Sequence, residues 1–198
     1  MHKGLRTGLR WLSVGIGLAL IAAGLRELIV FERGQAEVAE SWKELPVEPQ
    51  SEIPDKKRVP DEAAPVAHLS IPRLQMDWFV VSGTGARELR RGPGHLRGTA
   101  WPGERGNSVI AGHRDTHFRA LKDIQTGDQI TIQTARGRFV YSVIRTLVVR
   151  PADISVLQPT DNPILTLATC YPFYYAGPAP KRFIVQAQLA APGPSAER

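Results

Sequence analysis

"DQITIQTARGRFVYSVIRTLVVR", residues 128–150, decides the fold class. Ile130 and Ile132 alternate with Thr131 and Gln133, the period-two pattern of a strand with one buried face. The run from Arg138 onward is rich in β-branched and aromatic residues, and "TARG" (134–137) between the two suits a hairpin turn. Similar short runs lie on both sides: "VAHLSIP" (66–72), "MDWFVVSG" (76–83), "NSVIAGH" (107–113), "PILTLATC" (163–170) and "KRFIVQAQL" (181–189). Helical signal is sparse, confined to "GARELRRG" (85–92) and "THFRALKDI" (116–124). The pattern predicts a mostly β domain, a barrel or a sandwich. A parallel α/β fold needs helices of about 10–15 residues between its strands, and these are missing.

The chain has 198 residues and a formal charge of +6. Residues 66–189 carry 15 Lys/Arg against 8 Asp/Glu, whereas 36–65 carry 4 against 8. No basic run is interleaved with aromatics and no nucleic-acid motif is present, so an anionic surface or substrate suits the basic domain better than nucleic acid. Lys3, Arg6 and Arg10 precede the uncharged "WLSVGIGLALIAAGL" (11–25); Arg26 and Glu27 interrupt it before "LIVF". Carried through Phe31, the segment is long enough to span a bilayer if Arg26 and Glu27 reach the interface. The preceding positive charges predict the N-terminus inside and the rest outside. Ala22, Ala23 and Gly24 leave signal-peptide cleavage open. The expected organisation is a cytoplasmic tip and membrane signal-anchor, a single transmembrane helix, over 1–31. A charged, Pro-rich linker over 32–65 follows, its first part continuing as helix, then a β domain over 66–190 and a loose tail over 191–198. The domain is expected outside a cytoplasmic (inner) membrane crossed once.

Outside the cytoplasm an unpaired thiol is a liability unless it is hidden or used. Cys170 is the single cysteine. It is either a small buried apolar residue or a nucleophile presented where the strand "PILTLATC" ends. A working thiol needs a proton partner, usually histidine. His113 is the best placed: it ends a strand after Gly112 and opens a loop, as Cys170 ends another strand. His117, four residues on, has metal-ligand spacing to His113. However, Arg114 stands where a zinc-protease helix has Glu, and no third ligand is evident, so no metal is expected and His117 reads as a surface or supporting residue. Arg182, twelve residues after Cys170 at the start of "RFIVQAQL", is the candidate stabiliser of a tetrahedral oxyanion. The competing reading makes it one of many solvated arginines.

Together these segments resemble the sortase family. "TLATC" (166–170) matches its TLxTC motif, "AGHRDTHF" (111–118) its histidine segment, and "KRF" (181–183) the place of its arginine. The wording around them is most similar to class D sortases, including those of Gram-negative bacteria. The resemblance implies a closed eight-stranded β-barrel with a transpeptidase site and no cofactor. Cys170 would attack an LPxTG-like sorting signal and form a thioester. His113 would pass the proton between leaving and incoming amines, and Arg182 would hold the substrate backbone and the oxyanion. Ala111 and Thr169 would help line the groove. The implied partners are a secreted protein bearing the signal and an amine acceptor. Some sortases bind calcium, but Glu104 and Asp115 do not by themselves make a site. Three rivals stand beside this reading. An L,D-transpeptidase, another Cys/His cell-wall enzyme, lacks its SxGC-R block here. A papain-like protease places its cysteine early, at the start of a long helix. An anchored extracytoplasmic β-barrel binding module would keep Cys170 as a structural residue.

Overall fold

The computed structural model describes residues 2–43 and 64–190. Helix α1 (His2–Lys43) is followed by eight strands: β1 (Pro65–Ile71), β2 (Met76–Ser82), β3 (Gly94–His95), β4 (Asn107–Ala111), β5 (Gln129–Thr134), β6 (Gly137–Val149), β7 (Ile164–Tyr171) and β8 (Lys181–Leu189). They close into a barrel in the order β1-β2-β3-β4-β7-β8-β6-β5, with β5 returning to pair with β1. Of the two folds left open by strand spacing, the molecule is the barrel, which leaves no long unpaired edge. A short helix α2 (Ala86–Arg91) lies between β2 and β3, and 3-10 helices occupy Pro72–Leu74, Arg119–Asp123 and Ser155–Leu157.

The hairpin of residues 128–150 forms as its alternation dictates. β5 and β6 pair from Gln129↔Ser142 to Thr134↔Gly137 across a two-residue turn. Ile130 and Ile132 are fully buried while Gln129 and Gln133 are exposed. The barrel interior is filled by these isoleucines with Leu69, Ile71, Val80, Ile110, Leu165, Leu167 and Val185, plugged by Phe118 and Leu121 from the segment after β4. Tyr141 also lies inside, and its hydroxyl accepts a hydrogen bond from the Gly103 N–H at 2.7 Å, so its polar tip is satisfied. Two pairings are parallel, β2 with β3 and β4 with β7; the rest are antiparallel.

One expectation needs correction. "THFRALKDI" makes only a 3-10 turn over Arg119–Asp123, because Phe118 and Leu121 are drawn into the barrel mouth. The first part of the linker continues as helix, as its sequence allows: α1 runs unbroken to Lys43. Nothing in "ERGQAEVAESWK" opposes helix, and the first proline comes at Pro46. The rest of the linker up to residue 63 and the tail 191–198 lie outside the described residues. Among those described, no helix is long and apolar enough to cross a membrane.

The last third of α1 is docked on the barrel. Val38 is buried, Trp42 packs against Phe79 with ring centroids 6.1 Å apart, and Arg91 bonds Glu37 at 3.0 Å. The Gln35 side-chain amide accepts from the Phe79 N–H at 3.0 Å and donates to the carbonyls of Phe79 and Arg91.

Barrel closure depends on Gly94. It lies in the two-residue strand that joins β2 to β4, and a Cβ there would sit 1.9 Å from the Gly83 carbonyl oxygen, a backbone atom with little room to yield. Gly94→Ala is expected to lower stability by about 2 kcal/mol or more, read as a lower midpoint in urea denaturation. An unchanged midpoint would show that β2 and β3 do not approach as described.

Candidate active site

Alternation along each strand separates an inner face from an outer one. On β7, Leu165 and Leu167 face the core; Thr166, Ala168 and Cys170 therefore face outward. β8 pairs with β7 so that Cys170 lies directly opposite Arg182, Ala168 opposite Ile184 and Thr166 opposite Gln186. On the other side β4 runs parallel to β7, with Ala111 opposite Ala168. The pairing continues one bond further, since the Gly112 N–H donates to the Ala168 carbonyl at 3.1 Å. His113 thus stands two residues past Ala111, as Cys170 stands two past Ala168. Parallel neighbours end at the same rim, so the backbone brings His113, two residues past the end of β4, to the rim where Cys170 and Arg182 lie opposite each other. Ala111 and Ala168, both partly exposed, form a low floor beside them.

The histidine is placed by its backbone. The Gly112 carbonyl accepts from Thr169 Oγ1 at 2.7 Å, and the His113 carbonyl accepts from the Phe118 N–H at 2.9 Å. Gly112 has to lack a side chain, because a Cβ would meet the buried Phe118 ring at 2.8 Å. Thr169 departs from expectation: it sits opposite Phe183 on the inner face, is 3% exposed, and steers the histidine loop from behind. It does not line the groove. Cys170 is a free thiol, partly accessible, and His113 is exposed. Arg182 is partly buried, with Nη1 donating to the carbonyls of Lys181 at 3.0 Å and Ala179 at 3.3 Å.

The groove floor is braced from below. Thr166 Oγ1 donates to Asn107 Oδ1 at 2.7 Å, and Asn107 Nδ2 donates to the carbonyls of Val156 (3.0 Å) and Gln158 (3.1 Å). Arg145 Nε donates to Gln186 Oε1 at 2.7 Å, completing a buried polar layer that pins the segment between β6 and β7 onto the sheet. The sequence signal was present as single polar residues inside apolar strands, but their partners lie up to 59 residues away. Arg114, noted only for not being glutamate, also has a role described below.

His95 and His117 are structural. His95 belongs to β3, stacks on Trp101 at 4.5 Å and meets the Ala100 carbonyl at 2.9 Å; burial pushes its pKa down. Of the two readings of His117, surface or supporting, the structure has the second: it is 1% exposed beside Trp78, because the turn after β4 carries it inward with Phe118. Burial, with the nearby His113, pushes its pKa down to about 4, so it is neutral near pH 7. Among the described residues no three His, Cys, Asp or Glu side chains converge on a metal-sized space.

A histidine held near 4 when folded binds its proton near 6.5 once unfolded. The unfolded state therefore gains protons first, and stability falls as pH drops from about 6.5 to 4, by roughly 3 kcal/mol at full effect. Wild type is expected to lose more denaturation midpoint between pH 7 and 4.5 than His117→Asn does. Equal losses would remove His117 as the cause.

Comparisons with known proteins agree with this geometry. The model of the Sortase domain family matches residues 69–190. Sortase D of Bacillus subtilis (strain 168) is 39% identical over 118 residues, which are 59% of this chain and 60% of that protein. This chain thus spans less than two thirds of that relative's length. A Clostridium perfringens Sortase D5 transpeptidase structure is similar at TM-score 0.67 and 28% identity, over 82% of this chain and 99% of that one. Sortase A from Corynebacterium diphtheriae is similar at TM-score 0.64 and 26% identity, over 85% and 86%.

Proposed function

Since the chain belongs to the sortase family, we propose that it is a cysteine transpeptidase that cuts an LPxTG-like sorting signal and joins the acyl part to an amine. The observation that carries this is the strand register: Cys170 opposite Arg182, and His113 brought to the same rim by the parallel β4–β7 pair. The similar Clostridium perfringens protein is a transpeptidase.

The Cys170 sulfur, its proton held by His113, attacks the carbonyl carbon of the scissile Thr–Gly bond. The oxyanion faces Arg182, whose cation offsets charge that develops only in the transition state. The C–N bond then breaks, and His113 gives its proton to the departing amine. A thioester to Cys170 remains. An incoming amine attacks it and loses a proton to His113, the sulfur leaves as thiolate, and a new amide forms. One amide is consumed and one made, so no energy source is needed. A well-positioned amine outruns water by proximity alone. The acyl chain lies along the Ala111–Ala168 floor.

The membrane location is part of the same proposal. Residues Trp11 to Leu25 of α1 leave Trp11, Leu12, Val14, Ile16, Leu18, Leu20, Ile21 and Leu25 at least half exposed, on several sides of the helix. Such uncovered apolar surface calls for lipid, with Lys3, Arg6 and Arg10 on the inner side and the barrel outside. The full chain is expected in the membrane pellet after an alkaline wash, and a chain lacking residues 1–31 in the supernatant. A full chain released by the wash would overturn the anchor.

Incubating the protein with an LPxTG peptide and an amine should give a Cys170-linked acyl adduct and a ligated product by mass spectrometry. Cys170→Ala abolishes both, His113→Ala nearly so, and Arg182→Ala costs about 100-fold. A fully active His113→Ala would sink the mechanism. An inert thiol with no adduct would leave the binding module.

A further inference from the structure

Arg114 follows His113 directly, yet its side chain leaves the groove and crosses to the segment between β7 and β8. Its Nη1 donates to the Pro172 carbonyl at 3.0 Å, and its Nη2 to those of Tyr175 at 2.8 Å and Gly177 at 3.3 Å. The guanidinium also lies over the Tyr175 ring, 5.7 Å from its centroid. One turn later Arg119 lies over Tyr174 at 6.0 Å. Residues 172–180 leave the sheet immediately after the Cys170↔Arg182 and Tyr171↔Lys181 pairs. One side chain thus ties the histidine loop to the loop that springs from the cysteine and arginine strands. The planar fork reaches these carbonyls from two separate nitrogens, which the point-like ammonium of a lysine cannot do.

We propose that Arg114 is a positioning residue that fixes the β7–β8 loop as the wall of the amine side of the groove, and so governs how the thioester divides between amine and water. This rests on the transpeptidase reading. The acyl chain occupies the sheet floor, where Ala111 and Ala168 lie. The amine must approach from the side where His113 takes its proton, and there the wall is the loop that Arg114 clamps. Tyr174, 72% exposed, and Tyr175 stand on that wall. Acylation needs Cys170, His113 and Arg182; the β7–β8 register holds the backbones of the first and last, and the Gly112 and His113 carbonyl bonds to Thr169 and Phe118 hold the histidine, none of them through the clamp. Capture of the amine needs the wall as well.

The test compares wild type, Arg114→Ala and Arg114→Lys as full-length chains. The rate of Cys170 acyl-adduct formation from an LPxTG peptide, the amine KM and the ratio of ligated to hydrolysed product are read for each. Arg114→Ala should raise the amine KM roughly tenfold or more and lower the ratio by a similar factor, with acylation changed by less than about threefold. Arg114→Lys should behave like Arg114→Ala, since one ammonium cannot span the three carbonyls. Equal loss in acylation and partition, or a lysine variant equal to wild type, would overturn the proposal. Hydrogen exchange tests the clamp without substrate: amides of residues 173–179 should exchange faster in Arg114→Ala while those of β7 and β8 do not. Unchanged exchange in that loop would overturn it too. Absence of any acyl adduct in wild type would instead bring down the transpeptidase reading, leaving the clamp to be judged by exchange.

Discussion

The parallel contact between β4 and β7 is the constraint on which the rest depends. An antiparallel pair alone brings Cys170 and Arg182 together, since β7 and β8 are joined by a short loop. It cannot supply the histidine. A strand pairing in parallel ends at the same rim as its neighbour, but parallel strands must be joined by a long crossover. Here that crossover contains the Phe118 plug, the β5–β6 hairpin and the segment braced by Asn107, so the connection that delivers His113 also supplies two of the eight strands. The reaction centre and the barrel's closure are therefore one topological event.

Because the interior is packed with isoleucine, leucine, tyrosine and phenylalanine, chemistry has no room inside and is carried on the exterior. Strand β7 shows how sharply the labour is divided. Leu165, Leu167 and Thr169 face inward and serve stability and alignment; Thr166 faces outward but is buried against Asn107, and only Ala168 and Cys170 reach the open groove. A slip of one residue in register would exchange the two sets. Many contacts hold that register, among them the buried Asn107–Thr166 bond.

Much of this was legible in the residues. The β5–β6 hairpin declared itself because both its signals, alternation and turn, are local. Cys170, His113 and Arg182 were legible as candidates because each sits where a strand run meets a loop. β3 escaped notice because two residues between glycines and prolines carry no periodicity; only pairing to both neighbours makes Gly94–His95 a strand. Thr169 was visible but its direction was not, since alternation gives two faces without saying which is inside. The function of Arg114 had no sequence signature at all: its partners are backbone carbonyls 58 to 63 residues away, supplied by the fold.

The barrel is closed in its hydrogen bonds only where β3 is present, and β3 is two residues long. The outer edge of β2 at Phe79 is therefore open, with an N–H and a carbonyl directed away from β1. The amide of Gln35 satisfies both, as a neighbouring strand would, and Val38 and Trp42 cover the flank. The end of α1 thus acts as an edge guard. An excised catalytic domain beginning after Lys43 would present a bare strand edge flanked by Phe79, the kind of surface through which copies of a chain adhere edge to edge. The helix that leads into the domain thus covers the one stretch of β2 edge that β3 is too short to pair.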